Sequence, residues 1–200
     1  MPIGVRNRAG YLTIGTVLSE LEVLRDVCAR LDHAGMAYML TGSLAMNFYA
    51  QPRMTRDIDI VVAVEPPDAD ALIALFQPDY YVPDEAARRA VRERGMFNLL
   101  HLDSAVKIDL VVRKDEVYRR EEFARRTRVD LPGFAVSIVT KEDLILSKLA
   151  WAKDSRSELQ LRDVGNLLAA GADTEYLRKW AVQLDVVDLL EECLRERHEP

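Results

Sequence analysis

Two acidic residues, Asp57 and Asp59, stand one residue apart in the sequence Arg-Asp-Ile-Asp-Ile-Val-Val. The β-branched residues around and after them predict a strand. Because residues i and i+2 of a strand point to the same face, both carboxylates lie on one side, while Ile58 and Ile60 face the core. Two like charges held together raise the free energy unless a cation lies between them. Carboxylate oxygens suit Mg²⁺ or Mn²⁺, so the pair predicts a divalent metal site.

A third carboxylate, Asp109, is the one acidic residue in the apolar run from Val106 to Val112. A buried strand rarely contains a lone carboxylate. If this strand pairs beside the first, three carboxylates converge, and such a group can hold two metal ions about 4 Å apart for in-line displacement at phosphorus. Lys107 shares the strand face of Asp109 by alternation. The opposing interpretation is that Lys107 neutralises Asp109 and takes the place of a metal.

Gly42 and Ser43 form a predicted turn between an apolar strand and a short helix. Glycine allows the backbone to approach an anion closely, and the N-terminus of a helix offers N–H donors and the positive end of its dipole. The hydroxyl of Ser43 adds a further polar group. The pattern therefore predicts a phosphate site beside the carboxylates.

The elements that must position these residues fall into two parts. Apolar periodicity predicts helices over residues 16–33, 44–49, 68–76, 85–94, 115–125, 141–153, 159–170, 174–184 and 187–196, and strands over 37–40, 58–64, 96–102, 106–112 and 134–139. Thr140 and Asp143 have the form of a capping box that opens the first helix of the second part. We therefore predict a catalytic α/β domain, residues 1–140, and a C-terminal helical subdomain, residues 141–200. Trp151 and Trp180 are expected in the core of the helices.

The composition, 49% hydrophobic and 30% charged, is that of a globular protein. No apolar run reaches the length of about 20 residues that crosses a bilayer, and the N-terminal residues do not form a secretory signal. Cys28 and Cys193 lie far apart, which favours a reducing compartment, and we expect a cytoplasmic location. A net charge of −6 argues against non-specific coating of nucleic acid. Arginine clusters at residues 88–94 and 119–128 are interpreted as solvated helix faces, with a track for RNA or another polyanion as the alternative.

The order Gly-Ser, Asp-x-Asp and a later single Asp resembles the nucleotidyltransferase superfamily with the polymerase-beta-like fold. The stretch from Arg53 to Asp59, Arg-Met-Thr-Arg-Asp-Ile-Asp, is similar to the RxTxDID form of AbiEii-type toxins and their relatives. Those relatives also carry a downstream helical lysine and a later Arg-Asp pair, which Lys148 and Arg162-Asp163 resemble. The resemblance covers about residues 36–168.

By this resemblance the fold is a small mixed sheet flanked by helices, followed by a helical bundle. The implied chemistry is transfer of a nucleoside monophosphate from an NTP to a hydroxyl, with loss of pyrophosphate. The resemblance implies that Asp57 and Asp59 bind both metals and that Asp109 holds the metal that activates the hydroxyl. It places the β- and γ-phosphates at Gly42 and Ser43.

The resemblance implies roles for a second group of residues. It places Lys148 near the triphosphate as a point charge. Arg53 and Thr55 position the loop or touch phosphate. It assigns Asp163 to the nucleotide site. The alternative is that Arg162-Asp163 is a structural pair that ties two helices together.

The acceptor is left open by the sequence. The leading hypothesis is an RNA, such as a tRNA end, modified in the manner of a toxin that has an antitoxin partner. A second is a protein or a small cationic molecule such as an aminoglycoside, which the net acidity favours. A third is a silent nucleotide-binding or partner-binding module, against which the complete acidic trio argues. Only about 60 residues follow Thr140, fewer than in AbiEii-type toxins, where this part contributes to substrate choice.

Overall fold

The structure, a computed structural model, describes residues 5–6, 12–13, 19–52, 55 and 57–196. Its helices are α1 Glu20–His33, α2 Gly42–Tyr49, α3 Ala69–Phe76, α4 Asp84–Glu93, α5 Val117–Ala124, α6 Lys141–Ser155, α7 Glu158–Ala169, α8 Thr174–Leu184 and α9 Val187–Glu196. Its strands are β1 Val5–Arg6, β2 Leu12–Thr13, β3 Tyr38–Thr41, β4 Asp57–Val62, β5 Tyr80–Tyr81, β6 Met96–His101, β7 Lys107–Val112, β8 Thr127–Leu131 and β9 Phe134–Ile138. The predicted helices and strands are all present with small shifts of their ends; residues 16–18 of the first predicted helix lie outside the described residues.

The central sheet has seven strands in the order β5-β6-β7-β4-β3-β9-β8. The pairs β4·β7 and β3·β9 are parallel, and the other neighbours are antiparallel. This mixed sheet flanked by helices confirms the predicted fold class. The edge strands β5 and β8 were not predicted, because β5 has two residues and β8 has mostly exposed side chains.

Alternation along β4 and β7 gives the sheet two different faces. On one face Ile58, Ile60, Ile108 and Leu110 are fully buried. Buried side chains of α1, α3 and α4 belong to the same hydrophobic core. Burying each such side chain contributes about 1.5–3 kcal/mol. The other face carries the polar residues of the same strands. A slip of one residue in either strand would exchange the two faces, so the apolar alternation holds the register that places the acidic side chains.

Four helices, α6 to α9, follow the last strand. Thr140 caps α6: its Oγ1 accepts from the Asp143 N–H at 3.3 Å and donates to Asp143 Oδ2 at 2.5 Å. The buried residues of this part and of the sheet form one hydrophobic cluster. The division into two domains between residues 140 and 141 stays a prediction.

The two tryptophans differ in burial. Trp180 is 5% exposed, as expected for the helical core, whereas Trp151 is 69% exposed. The prediction was wrong for Trp151 because it lies on the side of α6 that borders a cleft and not on the sides that pack against other helices. In the described part of the chain, no helix combines the length and apolar character needed to cross a bilayer.

Candidate active site

The three predicted carboxylates lie on adjacent strands and on one face of the sheet. In the parallel pair of β4 and β7, Asp59 is the register partner of Asp109, and Asp57 is the partner of Lys107. Neighbouring strands are about 4.8 Å apart. The strand of Asp109 therefore pairs beside the strand of Asp57 and Asp59, as the convergence of the three carboxylates requires. On the opposite face Ile58 pairs with Ile108 and Ile60 with Leu110, and these apolar pairs hold the acidic residues at this spacing.

Gly42 lies directly over Asp59. A Cβ atom at position 42 would come within 2.6 Å of Asp59 Cγ and would overlap Asp59 Oδ2, and the backbone φ of Gly42 is +65°. Both the space and the left-handed backbone require glycine here. The structure corrects one detail of the sequence interpretation: Gly42 and Ser43 are the first residues of α2, with Thr41 as N-cap, and do not form a separate turn. Their place at a helix N-terminus suits an anion.

Negative charge is crowded around Asp59. Burial raises the pKa of Asp59, and the charges of Asp109 and Asp57 raise it further, to about 6, against the lowering effect of Lys107 and Lys148. Because neighbouring negative charges disfavour ionisation of all three carboxylates, a nearby cation stabilises their ionised form. The oxygen donors of the trio fit Mg²⁺ or Mn²⁺ in ligand chemistry.

Lys107 reaches into this group, as the opposing interpretation required. Its Nζ lies 3.1 Å from Asp109 Oδ2 and 3.8 Å from Asp57 Oδ1, and the amide of Asn98 donates to the other oxygen of Asp109. Within the described residues, no group of three or more His, Cys, Asp and Glu side chains forms a ready-made metal site. The side chain of Lys107 is 43% exposed. The side chain of Asp109 is only 14% exposed, so water screens this ion pair from the side of the lysine, where a metal would displace the ammonium group.

A cleft of about 370 Å³ opens above the carboxylates. Its walls come from β3, α2, β4, β6, β7 and α6, with Thr55 and the start of α7. The lining residues are Thr41, Gly42, Ser43, Thr55, Asp57, Asp59, Met96, Asp109, Val111, Leu144, Ser147, Lys148, Trp151, Leu159 and Gln160. The cleft thus brings together most of the residues selected from the sequence. Arg53 lies outside the described residues, and Asp163 is not among the lining residues.

Lys148, on α6, lines the cleft, and two residues of α7 hold its ammonium group in place. Its Nζ lies 2.8 Å from Asp163 Oδ2 and donates to Gln160 Oε1 at 3.1 Å. The side chains of Lys148 and Asp163 are 5% and 1% exposed. Asp163 therefore contacts Lys148 from α7 and compensates its buried charge. Thr55, which also lines the cleft, donates a long hydrogen bond of 3.5 Å from its Oγ1 to the carbonyl oxygen of Asp57.

Several lining residues were missed by the sequence interpretation. Leu144, Ser147, Lys148 and Trp151 follow the i, i+3, i+4, i+7 spacing of one helix face. Once Lys148 is assigned to a site, this spacing assigns Trp151 to the same side. Gln160 carries no such signal, because its place depends on how α7 packs against α6.

A mixed sheet with three converging carboxylates beside a glycine at a helix N-terminus is the architecture of a nucleotidyltransferase. Residues 27–188 match the family described as "Nucleotidyl transferase AbiEii toxin, Type IV TA system", and the chain belongs to this family. The predicted family is thereby confirmed, and membership supports an enzyme that transfers nucleotides.

Solved structures show the same fold. The chain is similar to an antigenic nucleotidyltransferase-like protein from Paracoccidioides brasiliensis, with 16% identity, a TM-score of 0.59, and coverage of 89% of this chain and 88% of that one. It is also similar to the antibiotic-resistance factor ANT(2″)-Ia, with 13% identity, a TM-score of 0.54, and coverage of 92% and 100%. A complex of ANT(2″)-Ia with adenylyl-2″-tobramycin gives the same identity and TM-score, with coverage of 84% and 98%. A comparison with curated protein sequences gives no match.

Proposed function

We propose that the protein transfers a nucleoside monophosphate from an NTP to a hydroxyl acceptor in a reaction that depends on Mg²⁺. The observation that carries this proposal is the convergence of Asp57, Asp59 and Asp109 in the cleft, with Asp59 in contact with Gly42. Family membership supports the same chemistry.

Each residue has a distinct task in this proposal. Asp57, Asp59 and Asp109 hold magnesium, which when bound neutralises phosphate charge and lowers the pKa of the attacking hydroxyl. The first turn of α2, from Gly42, binds the terminal phosphates through its backbone N–H groups. Lys148, held by its buried contact with Asp163, adds a fixed positive charge for the triphosphate. Most of the rate acceleration then comes from positioning and from charge neutralisation.

The acceptor reaches the site from the side of β6. Beyond Asp109 the same sheet face carries Met96, Asn98 and Leu100, which are all exposed, and only Met96 lines the cleft. Asp109 is the member of the trio closest to this open face, since β7 lies between β4 and β6. This position suits a carboxylate that meets the acceptor hydroxyl.

We infer that the acceptor is an RNA end, since transfer of a nucleotide to an essential RNA is one way in which a toxin of the kind that the family description names can act. An antitoxin is then the expected protein partner. The reaction is expected in the cytoplasm. Three of the five arginines of the second cluster, Arg119, Arg125 and Arg128, form ion pairs with Glu122, Asp143 and Asp32. Exposed arginines such as Arg120, and Arg89 and Arg92 of α4, are the stronger candidates for contacts with an RNA backbone.

A small cationic acceptor is the second candidate. The side chain of Asp57 at the cleft is 57% exposed, and the chain carries a net charge of −6. Negative charge at an open site attracts cationic ligands. ANT(2″)-Ia, which shares the fold, has a crystal structure in complex with adenylyl-2″-tobramycin.

A transfer assay tests the proposal. The protein is incubated with NTPs labelled at the α-phosphate and Mg²⁺, with total tRNA, with aminoglycosides, or without an acceptor. We expect label on RNA, a loss on chelation of the metal, and a loss of at least about 100-fold in Asp57→Asn. The exposed Asp103→Asn is the matched control. Full activity of Asp57→Asn would contradict the proposal, and label on the aminoglycoside alone would favour the second candidate.

A further inference from the structure

Trp151 is the most exposed large apolar side chain of the described residues, with 69% of its surface accessible. It lies on α6, three residues after Lys148, and both residues line the cleft. Three residues of an α-helix advance about 4.5 Å along its axis, so Trp151 follows Lys148 by slightly less than one turn on the side of α6 that lines the cleft.

Two further exposed apolar side chains border the same cleft. Leu159, at the start of α7, is 43% exposed, and Met96, on β6, is 49% exposed. A single exposed apolar residue is ordinary on a protein surface. Three of them around one cleft form an apolar region next to a strongly polar floor, which indicates a ligand with one charged end and one flat apolar part.

We propose that Trp151 stacks on the base of the bound NTP, with Leu159 flanking the base. This inference rests on the proposed function and specifies where the nucleotide lies. The phosphates require N–H donors and positive charge, which Gly42 and Lys148 provide. The base is the part of an NTP that an indole binds well, because stacking uses the flat face that every base has. The site is therefore tolerant of base identity, with an advantage for purines through their larger face.

Gln160 lines the same cleft and can donate hydrogen bonds to the edge of that base, since every base carries acceptor atoms. Its Oε1 accepts a hydrogen bond from Lys148 Nζ at 3.1 Å, and both residues line the cleft. The amide nitrogen then supplies two N–H donors for the acceptor atoms of a base. The same contact links the base region to the lysine that holds the phosphates.

Tryptophan fluorescence provides a direct test, since the chain has two tryptophans and the other, Trp180, is buried. NTP and inorganic tripolyphosphate are titrated with Mg²⁺, without an acceptor, into the wild type, Trp151→Phe and Trp180→Phe. We expect NTP to quench the emission of the wild type and of Trp180→Phe but not of Trp151→Phe. Tripolyphosphate is expected to bind, as measured by calorimetry, with little quenching.

The affinities of the Trp151 variants for NTP and for tripolyphosphate give a second test. Trp151→Ala should weaken NTP binding by about 5- to 100-fold. It should leave tripolyphosphate binding unchanged, and Trp151→Phe should retain most of the affinity for NTP. An unchanged NTP affinity in Trp151→Ala, or an equal loss for both ligands, overturns the stacking assignment while the proposed function stands. Failure of the wild type to bind either ligand overturns the proposed function and this inference with it.

Discussion

Gly42 and Asp59 are in such close contact that no side chain fits between them. A Cβ atom on residue 42 would lie 2.6 Å from Asp59 Cγ and 2.8 Å from Asp59 Cβ. The contact links the start of α2 to β4, and so joins the expected phosphate site to the expected metal site. Its consequence is that any side chain at position 42 would displace Asp59 from its place among the carboxylates.

Gly42→Ala should therefore displace Asp59 and lower the transfer rate by about 100-fold or more, because a misplacement of about 1 Å in a catalytic group has effects of this size. Gly35→Ala is a matched control, since Gly35 also has a φ of +65° but has no atom within 4 Å of its Cβ position. Both variants carry the backbone cost of about 1–2 kcal/mol for a left-handed residue. Equal transfer rates in the two variants would show that the contact with Asp59 has no role.

The raised pKa of Asp59 predicts a pH dependence of stability in the metal-free protein. Its pKa rises from the ordinary value of 3.8 to about 6 on folding, so the folded state binds the proton more tightly than the unfolded state. The resulting stability is fully present below about pH 4 and is lost as the pH rises through about 6. Asp59→Asn removes this dependence, and above pH 7 it should be more stable than the wild type by at most about 3 kcal/mol.

Urea denaturation in EDTA, at a series of pH values from 4 to about 8, measures this difference. Asp103→Asn, a change at an exposed aspartate, serves as the control. If the wild type and Asp59→Asn show parallel curves over this range, the acidic group is not crowded in the way described.

Lys107 should compete with the metal, because its ammonium group contacts Asp109 and lies near Asp57. Lys107→Met is expected to lower the Mg²⁺ concentration for half-maximal transfer by about 5-fold, since two charges about 4 Å apart in water interact by about 1 kcal/mol. Lys114→Met, which changes an exposed lysine 4.0 Å from Glu116, is the control. An unchanged Mg²⁺ requirement in Lys107→Met would mean that the lysine and the metal do not share a place.

The contribution of the buried Lys148–Asp163 pair to stability can be measured separately from its contribution to transfer activity. Asp163→Ala leaves the buried ammonium group of Lys148 without its counter-charge, with only the neutral Gln160 as a partner, and should lower the free energy of unfolding by about 3–5 kcal/mol. The double variant Lys148→Met, Asp163→Leu should recover much of this stability but should remain inactive in transfer. Recovery of both stability and activity would make the pair purely structural.

The exposed pair of Arg156 and Glu192, also at 2.8 Å, is the control for this experiment. Its removal by Arg156→Ala should change the free energy of unfolding by no more than about 1 kcal/mol. The contrast tests burial as the cause, because the two pairs have the same separation and differ in their access to water.

Much of the fold was predictable because the spacing of apolar residues over short segments determines most helices and strands. The strands β4 and β7 alternate regularly, and α8 and α9 have the predicted limits because their apolar spacing is clear and short turns bound them. The edge strand β8 was missed because its side chains are mostly exposed. The burial of Trp151 was mispredicted because helical spacing shows that two residues share a face but not what that face contacts.

The sequence by itself determined the chemical groups of the site: a glycine before a helix, two aspartates on one strand face and a single aspartate in a later strand. These follow from chain geometry over a few residues. Only the tertiary structure decided that β7 lies beside β4, that Gly42 covers Asp59, that Lys107 lies among the carboxylates and that Lys148 has Asp163 behind it. Such contacts join residues far apart in the chain, and their distances depend on how whole strands and helices pack.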